Sequence, residues 1–551
     1  MSRWLAGLMP HLMVVPILLP MLTAAAMLLM GEGRRSTKAA LSTGSSLLGL
    51  AVAVALLAWV DGCGRVVYLP GNWPAPFGIA LVADRLSALM LVLGSTVGVC
   101  TLLFASARWH KAGVHFHPLA QLQLMGLSGA FLTGDLFNLF VFFEILLAAS
   151  YGLLLHGSGR PRVRASVHYV AINLGASSLF LIGASMLYGV TGTLNMADLS
   201  VRAALVPAAD RGLFHAAAGI LAVAFLAKAA AWPLNFWLVP AYTAATPPVA
   251  GLFALLTKVG VYALVRMWTL LFATGPSAQV GGDVLLFFGV VTGGLGALGM
   301  LGSQRLGHLA GLAVVVSSGT LMAALGFGRW ALTGSALYYL VSSTLVAAAF
   351  FLLIDLVERW RNAGTTVDDV APFLTASLEA DEDVNLDDDE ERLVGRPFPA
   401  STALLALAFM ACTLLVAGLP PLSSFVGKLG MLSAVVGVGA GAQAPTWRAW
   451  LFVLLLLGGG LASLLALTRA GIRHFWSAAP REAPRLRLAE GVAVLTLLTA
   501  CLGLTAGAGP AMRYAHEAAK ALHAPGAYVE AVLGAPTVRK GERLGARCGA
   551  P

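Results

Sequence analysis

Apolar runs of membrane-crossing length recur along this chain, at roughly 11–30, 39–60, 79–105, 118–134, 136–156, 166–190, 212–231, 247–271, 284–302, 308–327, 331–356, 400–440, 449–470 and 488–508. A helix needs about 20 apolar residues to cross the hydrocarbon core. Each run therefore reads as one crossing, and the chain as an all-α polytopic membrane protein of about 14 transmembrane helices. Of its 551 residues 58% are hydrophobic and 11% charged, against about 25% charged in soluble domains. A soluble core cannot hide that apolar excess, so lipid is its solvent. The first run is too long for a signal peptide and no clear cleavage site precedes a soluble domain, so it is expected to be the first membrane helix.

Two stretches depart from this pattern. The run 400–440 is too long for one helix and is interrupted by Gly418-Leu419-Pro420-Pro421, which predicts a broken helix. Residues 362–397 carry Glu379-Ala380-Asp381-Glu382-Asp383 and Asp387-Asp388-Asp389-Glu390-Glu391 and read as a solvated acidic loop. Basic residues gather in alternate loops (Arg34, Arg35 and Lys38; Arg108 and Lys111; Arg160, Arg162 and Arg164; Arg305; Arg469 to Arg487). This places those loops in the cytoplasm and both termini outside, with the basic C-terminal tail dissenting. The net charge of +9 thus reflects topology; no aromatic-interleaved basic patch suggests a nucleic-acid partner.

Charge inside the apolar runs is the functional signal. Lys228 ends the run Ala217–Lys228 just before Ala231-Trp232-Pro233, Lys258 lies within Leu252–Leu264, Lys428 follows Pro420-Pro421 and Ser423-Ser424, and Glu144 lies mid-run in Leu136–Leu147. A charge at bilayer depth costs roughly 2.5–3.5 kcal/mol on insertion scales and marks ion or proton handling. A carboxylate such as Glu144 must be neutral or paired there, and a lysine is its natural partner. Lys228 and Lys428 also fit a capping role for carbonyls freed at a helix break. The two sit about 200 residues apart, each at an interruption, as in inverted-repeat transporters with a site near the midplane. The organisation expected is N-terminal helices at 1–116, a first half at 117–271, a second at 283–470, and a last helix with tail at 471–551.

Weaker candidates surround these. His168 and His308, near helix starts, can relay protons. His110, His115 and His117 share one loop with no carboxylate close in sequence, and Asp135 reads as a helix N-cap. The cysteines Cys63, Cys100, Cys412, Cys501 and Cys548 form no CxxC or Cys/His pair, so neither a metal site nor a cofactor is expected. No P-loop, Rossmann glycine pattern, GxSxG or metal-hydrolase motif is present, so no soluble catalytic signature appears.

In combination, Phe142-Phe143-Glu144-Ile145, Ala227-Lys228-Ala229-Ala230-Ala231-Trp232-Pro233-Leu234, Thr246-Pro247-Pro248-Val249, Leu256-Thr257-Lys258-Val259-Gly260-Val261-Tyr262 and Gly418-Leu419-Pro420-Pro421-Leu422-Ser423 resemble the antiporter-like subunit family over roughly 79–470. That family includes the D-type subunit of Mrp-type monovalent cation/proton antiporters and the proton-pumping membrane subunits of respiratory complex I. The resemblance implies a Glu144–Lys228 pair and a proton path continuing through Lys258 and Lys428. It also implies partner subunits in a hetero-oligomer, protons with Na+ or K+ as cargo, and a multi-pass place in a bacterial-type inner membrane. Lysine at 428 suits the D-type subunit. The family often has a histidine or lysine in its eleventh helix, but Tyr338-Tyr339-Leu340-Val341-Ser342-Ser343-Thr344 has neither, leaving water, Ser342 or Ser343 to bridge Lys258 and Lys428. The competing readings are a proton-pumping subunit of a complex I-like or membrane hydrogenase assembly, and a structural scaffold that would tolerate loss of all four charges.

Overall fold

A computed structural model describes residues 9–109, 113, 115–272, 275–278, 280–362, 399–437, 446–475 and 486–537. A short 3-10 turn leads into α1 (Val15–Leu29), α2 (Arg35–Cys63), the hairpin β1 (Arg65–Tyr68) and β2 (Leu81–Asp84), α3 (Arg85–Ala107), α4 (Phe116–Leu132), α5 (Leu136–Leu154), α6 (Arg160–Thr191), α7 (Met196–Leu205), α8 (Arg211–Lys228), α9 (Leu238–Ala244), α10 (Pro247–Phe253) and α11 (Leu256–Leu271). The chain continues through α12 (Gly282–Gly302), α13 (Leu306–Leu325), α14 (Trp330–Asn362), α15 (Ala400–Ala417), α16 (Ser423–Val436), α17 (Trp447–Phe475), α18 (Leu488–Ala506), α19 (Ala508–His523) and α20 (Gly526–Leu533). Among the described residues 12 helical spans are long and apolar enough to cross a membrane, with α10 and α11 counted as one. Two shorter apolar helices, α1 and α16, stand beside them, in rough agreement with the about fourteen crossings expected from the apolar runs.

Helix ends follow local chemistry. Asp135 caps α5, as its position predicts, accepting the Asn138 N–H at 2.8 Å, and Asp84 caps α3 through the Ser87 N–H at 2.9 Å. The interruption at Gly418 is real: α15 ends there with φ +77, left-handed backbone that glycine adopts without cost, and α16 restarts at Ser423.

The run 247–271 is not one continuous helix. It breaks between Phe253 and Leu256, where the Tyr242 hydroxyl donates to the freed Phe253 carbonyl at 2.5 Å. The run 79–105 begins as a strand, because residues 81–84 pair antiparallel with 65–68 and the helix starts only after its Asp84 cap. The tail beyond 506 is also not featureless. Ala511, Met512, Ala515, Ala518, Ala519 and Leu522 give α19 an apolar face, and α19 packs on α14. The acidic loop 379–391 lies outside the described residues, as does His110.

The long α14 is the spine, in contact with α3, α10, α13, α15, α16, α18 and α19. The packing order recurs along the chain: α4 pairs with α5 and α12 with α13, then α6 packs on α8 and α14 on α15 and α16. Each sequence ends on a helix that breaks beside a lysine.

One buried ion pair fastens α11, buried along its length except at Trp268, to the amino end of α3. Arg266 donates to both Asp84 carboxylate oxygens at 2.5 and 2.7 Å. Its guanidinium also lies over the Tyr262 and Tyr528 rings, 5.6 and 5.4 Å from their centroids, so α20 is seated on the same cation. Burial pushes the Asp84 carboxyl up, but Arg266 and the Ser87 bonds outweigh it and hold the group below the ordinary carboxylate range.

Candidate functional site

Lys228 is the last residue of α8 and is 7% exposed. The break behind it is held by Ala230 at φ 56 and by the Trp237 indole, which donates to the Ala227 carbonyl at 3.2 Å. Helix α11 passes so close that a Cβ on Gly260 would lie 2.6 Å from the Ala229 nitrogen. Among the described residues the Lys228 ammonium has no hydrogen-bond partner. It lies 5.2 Å from the Phe143 ring centroid and borders a cavity of about 20 Å³, room for a water molecule, lined also by Tyr169, Asn173 and Trp237.

Glu144 is one residue from Phe143 but does not touch Lys228. Its carboxylate accepts instead from the Ser177 hydroxyl. Tyr169, Asn173 and Ser177, all buried, recur every four residues and so form one polar stripe on α6, which faces both ionisable groups. Sequence reasoning missed this stripe. Its spacing was the available signal, together with Ser150, whose hydroxyl lies 2.8 Å from that of Tyr169.

Lys258, 1% exposed, sits in the first turn of α11, immediately past the break that the sequence concealed. Its ammonium donates to the Ser317 hydroxyl and, at 3.4 Å, to that of Ser318, both on α13. Lys428, 9% exposed, donates to the Ala417 carbonyl at 2.7 Å, the last residue of α15, where a cation also opposes the negative helix end. Gly418 and Gly460 leave room for it, since a Cβ on either would lie within 2.8 and 3.5 Å of its nitrogen.

The weaker candidates lie apart from these lysines. His168 is exposed, bonded at 3.1 Å to the Arg164 carbonyl, and His308 is half-buried in the first turn of α13. Ser342 is fully buried, with its hydroxyl 2.7 and 2.8 Å from those of Ser423 and Ser424. Ser343 donates to the Leu340 carbonyl at 3.2 Å. Cys100, Cys412 and Cys501 are buried free thiols.

Residues 133–377 match the family model described as NADH:quinone oxidoreductase/Mrp antiporter, TM. The probable K(+)/H(+) antiporter D-type subunit of Rhizobium meliloti (strain 1021) is 50% identical over 545 residues, covering 97% of this chain and 99% of that one. The Na(+)/H(+) antiporter D-type subunit of Alkalihalophilus pseudofirmus is 32% identical, covering 95% and 100%. Among solved structures, a chain of the Mrp complex from Dietzia sp. DQ12-45-1b superposes with a TM-score of 0.77 at 26% identity, covering 97% of this chain and 100% of that one. The chain, a multi-pass membrane protein and a transporter component rather than an enzyme, therefore belongs to the D-type subunit family of Mrp-type multi-subunit antiporters.

Proposed function

We propose that this chain moves protons through the membrane part of a multi-subunit antiporter that exchanges a monovalent cation for protons, working with other antiporter subunits in a bacterial-type inner membrane. The observation that carries this reading is three buried lysines, each at or just past a helix break, with a half-buried carboxylate near the first. Charges at this depth cost roughly 2.5–3.5 kcal/mol on insertion scales and, where a chain keeps them, mark ion or proton pathways, and non-helical backbone at membrane depth belongs where it lines a cavity. Lys228 alternates between charged and neutral forms as protons pass. Each change alters the field at Glu144, and the same exchange continues through Lys258 and Lys428. Potassium is put first as the cation, because the relative at 50% identity carries K(+)/H(+) in its name and the one at 32% carries Na(+)/H(+).

The test is Glu144→Ala in membrane vesicles holding the assembled complex. Cation-dependent proton flux should vanish with K+ and with Na+ while the protein stays in the membrane at its normal level. Normal flux would remove Glu144 from the mechanism. The alternative, a proton-pumping subunit of a redox assembly, predicts quinone and iron–sulfur subunits on co-purification where the antiporter reading predicts small antiporter subunits.

A further inference from the structure

Helices α1 to α4, which carry none of the four ionisable residues of the proposed proton path, pack on one another around a cavity of about 30 Å³. That volume admits a water molecule or a bare ion of similar size. Its polar lining is Ser45 and Ser46 of α2, Ser95 of α3, and Gln121 and Ser128 of α4. Among the described residues no charged side chain lines it. Ser95 stands midway along α3, a helix long and apolar enough to cross a membrane, so the cavity lies at bilayer depth.

Gln121 is fixed on one side and stranded on the other. Its amide nitrogen donates to the Ser42 carbonyl at 2.8 Å, the Ser42 hydroxyl at 3.1 Å and the Ser46 hydroxyl at 2.9 Å. A backbone carbonyl only accepts, so it is the NH2 group that must face α2. The amide oxygen is left with no hydrogen-bond partner among the described residues, although Gln121 is only 1% exposed. A buried acceptor without a partner is costly.

The other oxygens are equally uncommitted. A serine in a membrane helix commonly bonds back to its own helix, as Ser106 and Ser463 do at 2.7 Å. Among the described residues Ser95 and Ser128 make no hydrogen bond. Pro20 lies inside α1 and has no N–H for the Pro16 carbonyl one turn before it, and both prolines line the cavity.

We infer that this cavity is a binding site for a dehydrated monovalent cation, held by the Gln121 amide oxygen, the Ser95 and Ser128 hydroxyls and the carbonyl freed at Pro16. The inference rests on the cation/proton exchange argued above and gives the cation, rather than the proton, a place in this subunit. Neutral oxygens can replace the hydration shell of an alkali ion, as carbonyls do in potassium filters, and hold it loosely enough to let it go. A divalent ion calls for carboxylates, and none lines this cavity. Phe131, on the same wall, accepts at its carbonyl from the Tyr262 hydroxyl at 2.8 Å. Tyr262 stands one turn after Lys258 on α11, so the site touches the helix that carries the second lysine.

The experiment measures equilibrium binding of radioactive rubidium, standing in for K+, to the purified whole complex, beside K+-dependent proton flux of the same preparations in vesicles. One variant joins Ser95→Ala to Ser128→Ala, removing two hydroxyls that have no bond to lose. A second is Gln121→Leu. Thr96→Val is the comparison, because the Thr96 hydroxyl donates back to the Val92 carbonyl at 2.8 Å and does not line the cavity. The double serine variant should bind rubidium roughly tenfold or more weakly, the worth of one or two lost contacts, and raise the half-saturating K+ by the same factor. Gln121→Leu should lose binding altogether, and Thr96→Val should match wild type. Unchanged rubidium affinity in the double serine variant overturns the site, as does an equal loss in Thr96→Val. If Gln121→Leu fails to assemble, the double serine variant decides alone. A wild-type complex without K+-dependent proton flux ends the exchange reading itself, whereas flux that half-saturates at the wild-type K+ concentration in every variant ends only the cation site.

Discussion

At the residue scale, Lys228 and Glu144 show how a carboxylate and a lysine can share a site without forming an ion pair. A direct pair would lock both charges, since opposite charges in contact favour the charged form of each. Here Ser177 takes the carboxylate and the ammonium faces a cavity beside Phe143, which suits the proton exchange proposed for this lysine. Lys228→Arg should therefore abolish most exchange, because a guanidinium stays protonated up to a pKa above about 12 and cannot hand its proton on. Proton flux in vesicles at matched protein levels measures this, and full activity with arginine would make residue 228 a fixed charge. Ser177→Ala should lower exchange by roughly tenfold or more, the worth of about 1.5–3 kcal/mol for a hydrogen bond to a charged group. An unchanged rate would show that the Ser177 bond does not tune Glu144.

At the element scale, the breaks in the helices hold the lysines proposed to move protons, and the supports of those breaks hold the fold. Arg266 is as visible in the sequence as Lys258, a charge inside the same apolar run, yet it is no part of the proposed proton path. It is spent on Asp84, 182 residues earlier in the chain, in a bidentate pair that fixes the outer end of the broken α10–α11 helix. Asp84→Ala should destabilise the protein by roughly 3–5 kcal/mol, since it strands a buried guanidinium, whereas Asp84→Leu combined with Arg266→Met should cost much less. Thermal unfolding of the detergent-solubilised complex reads the difference, and equal losses for the two variants would mean that the stranded guanidinium adds nothing to the cost.

The same contrast explains which features the sequence reveals. Lys228, Lys258, Lys428 and Glu144 stand out because charge in an apolar run is expensive. Tyr169, Asn173 and Ser177 do not, because uncharged polar groups are common in membrane helices and only their four-residue spacing betrays a shared face. The break after Phe253 is hidden because no proline or glycine marks it: the tyrosine that satisfies its carbonyl comes from α9. The strand at 81–84 is hidden because four apolar-rich residues before a helix read as more helix until their partner strand is known.

At the scale of the whole molecule, the open issue is whether one proton path crosses both halves or ends in the first. Lys428, in the second of the two halves expected from the sequence, donates to the carbonyl of Ala417. Alanine at 428 removes both a proposed proton carrier and a cap, so assembly has to be read separately from flux. Lys428→Gln keeps a hydrogen-bond donor for the carbonyl but cannot exchange a proton. If the path runs through both halves, Lys428→Gln should assemble normally and lose proton/cation exchange as fully as Lys258→Ala, while Lys428→Ala loses exchange and some stability, about 1–3 kcal/mol for the unsatisfied carbonyl. The measurement is exchange in vesicles at matched protein levels, beside thermal stability of the purified complex. Wild-type exchange with Lys428→Gln next to collapse with Lys258→Ala would confine the protons to the first half and leave Lys428 as a cap on a broken helix.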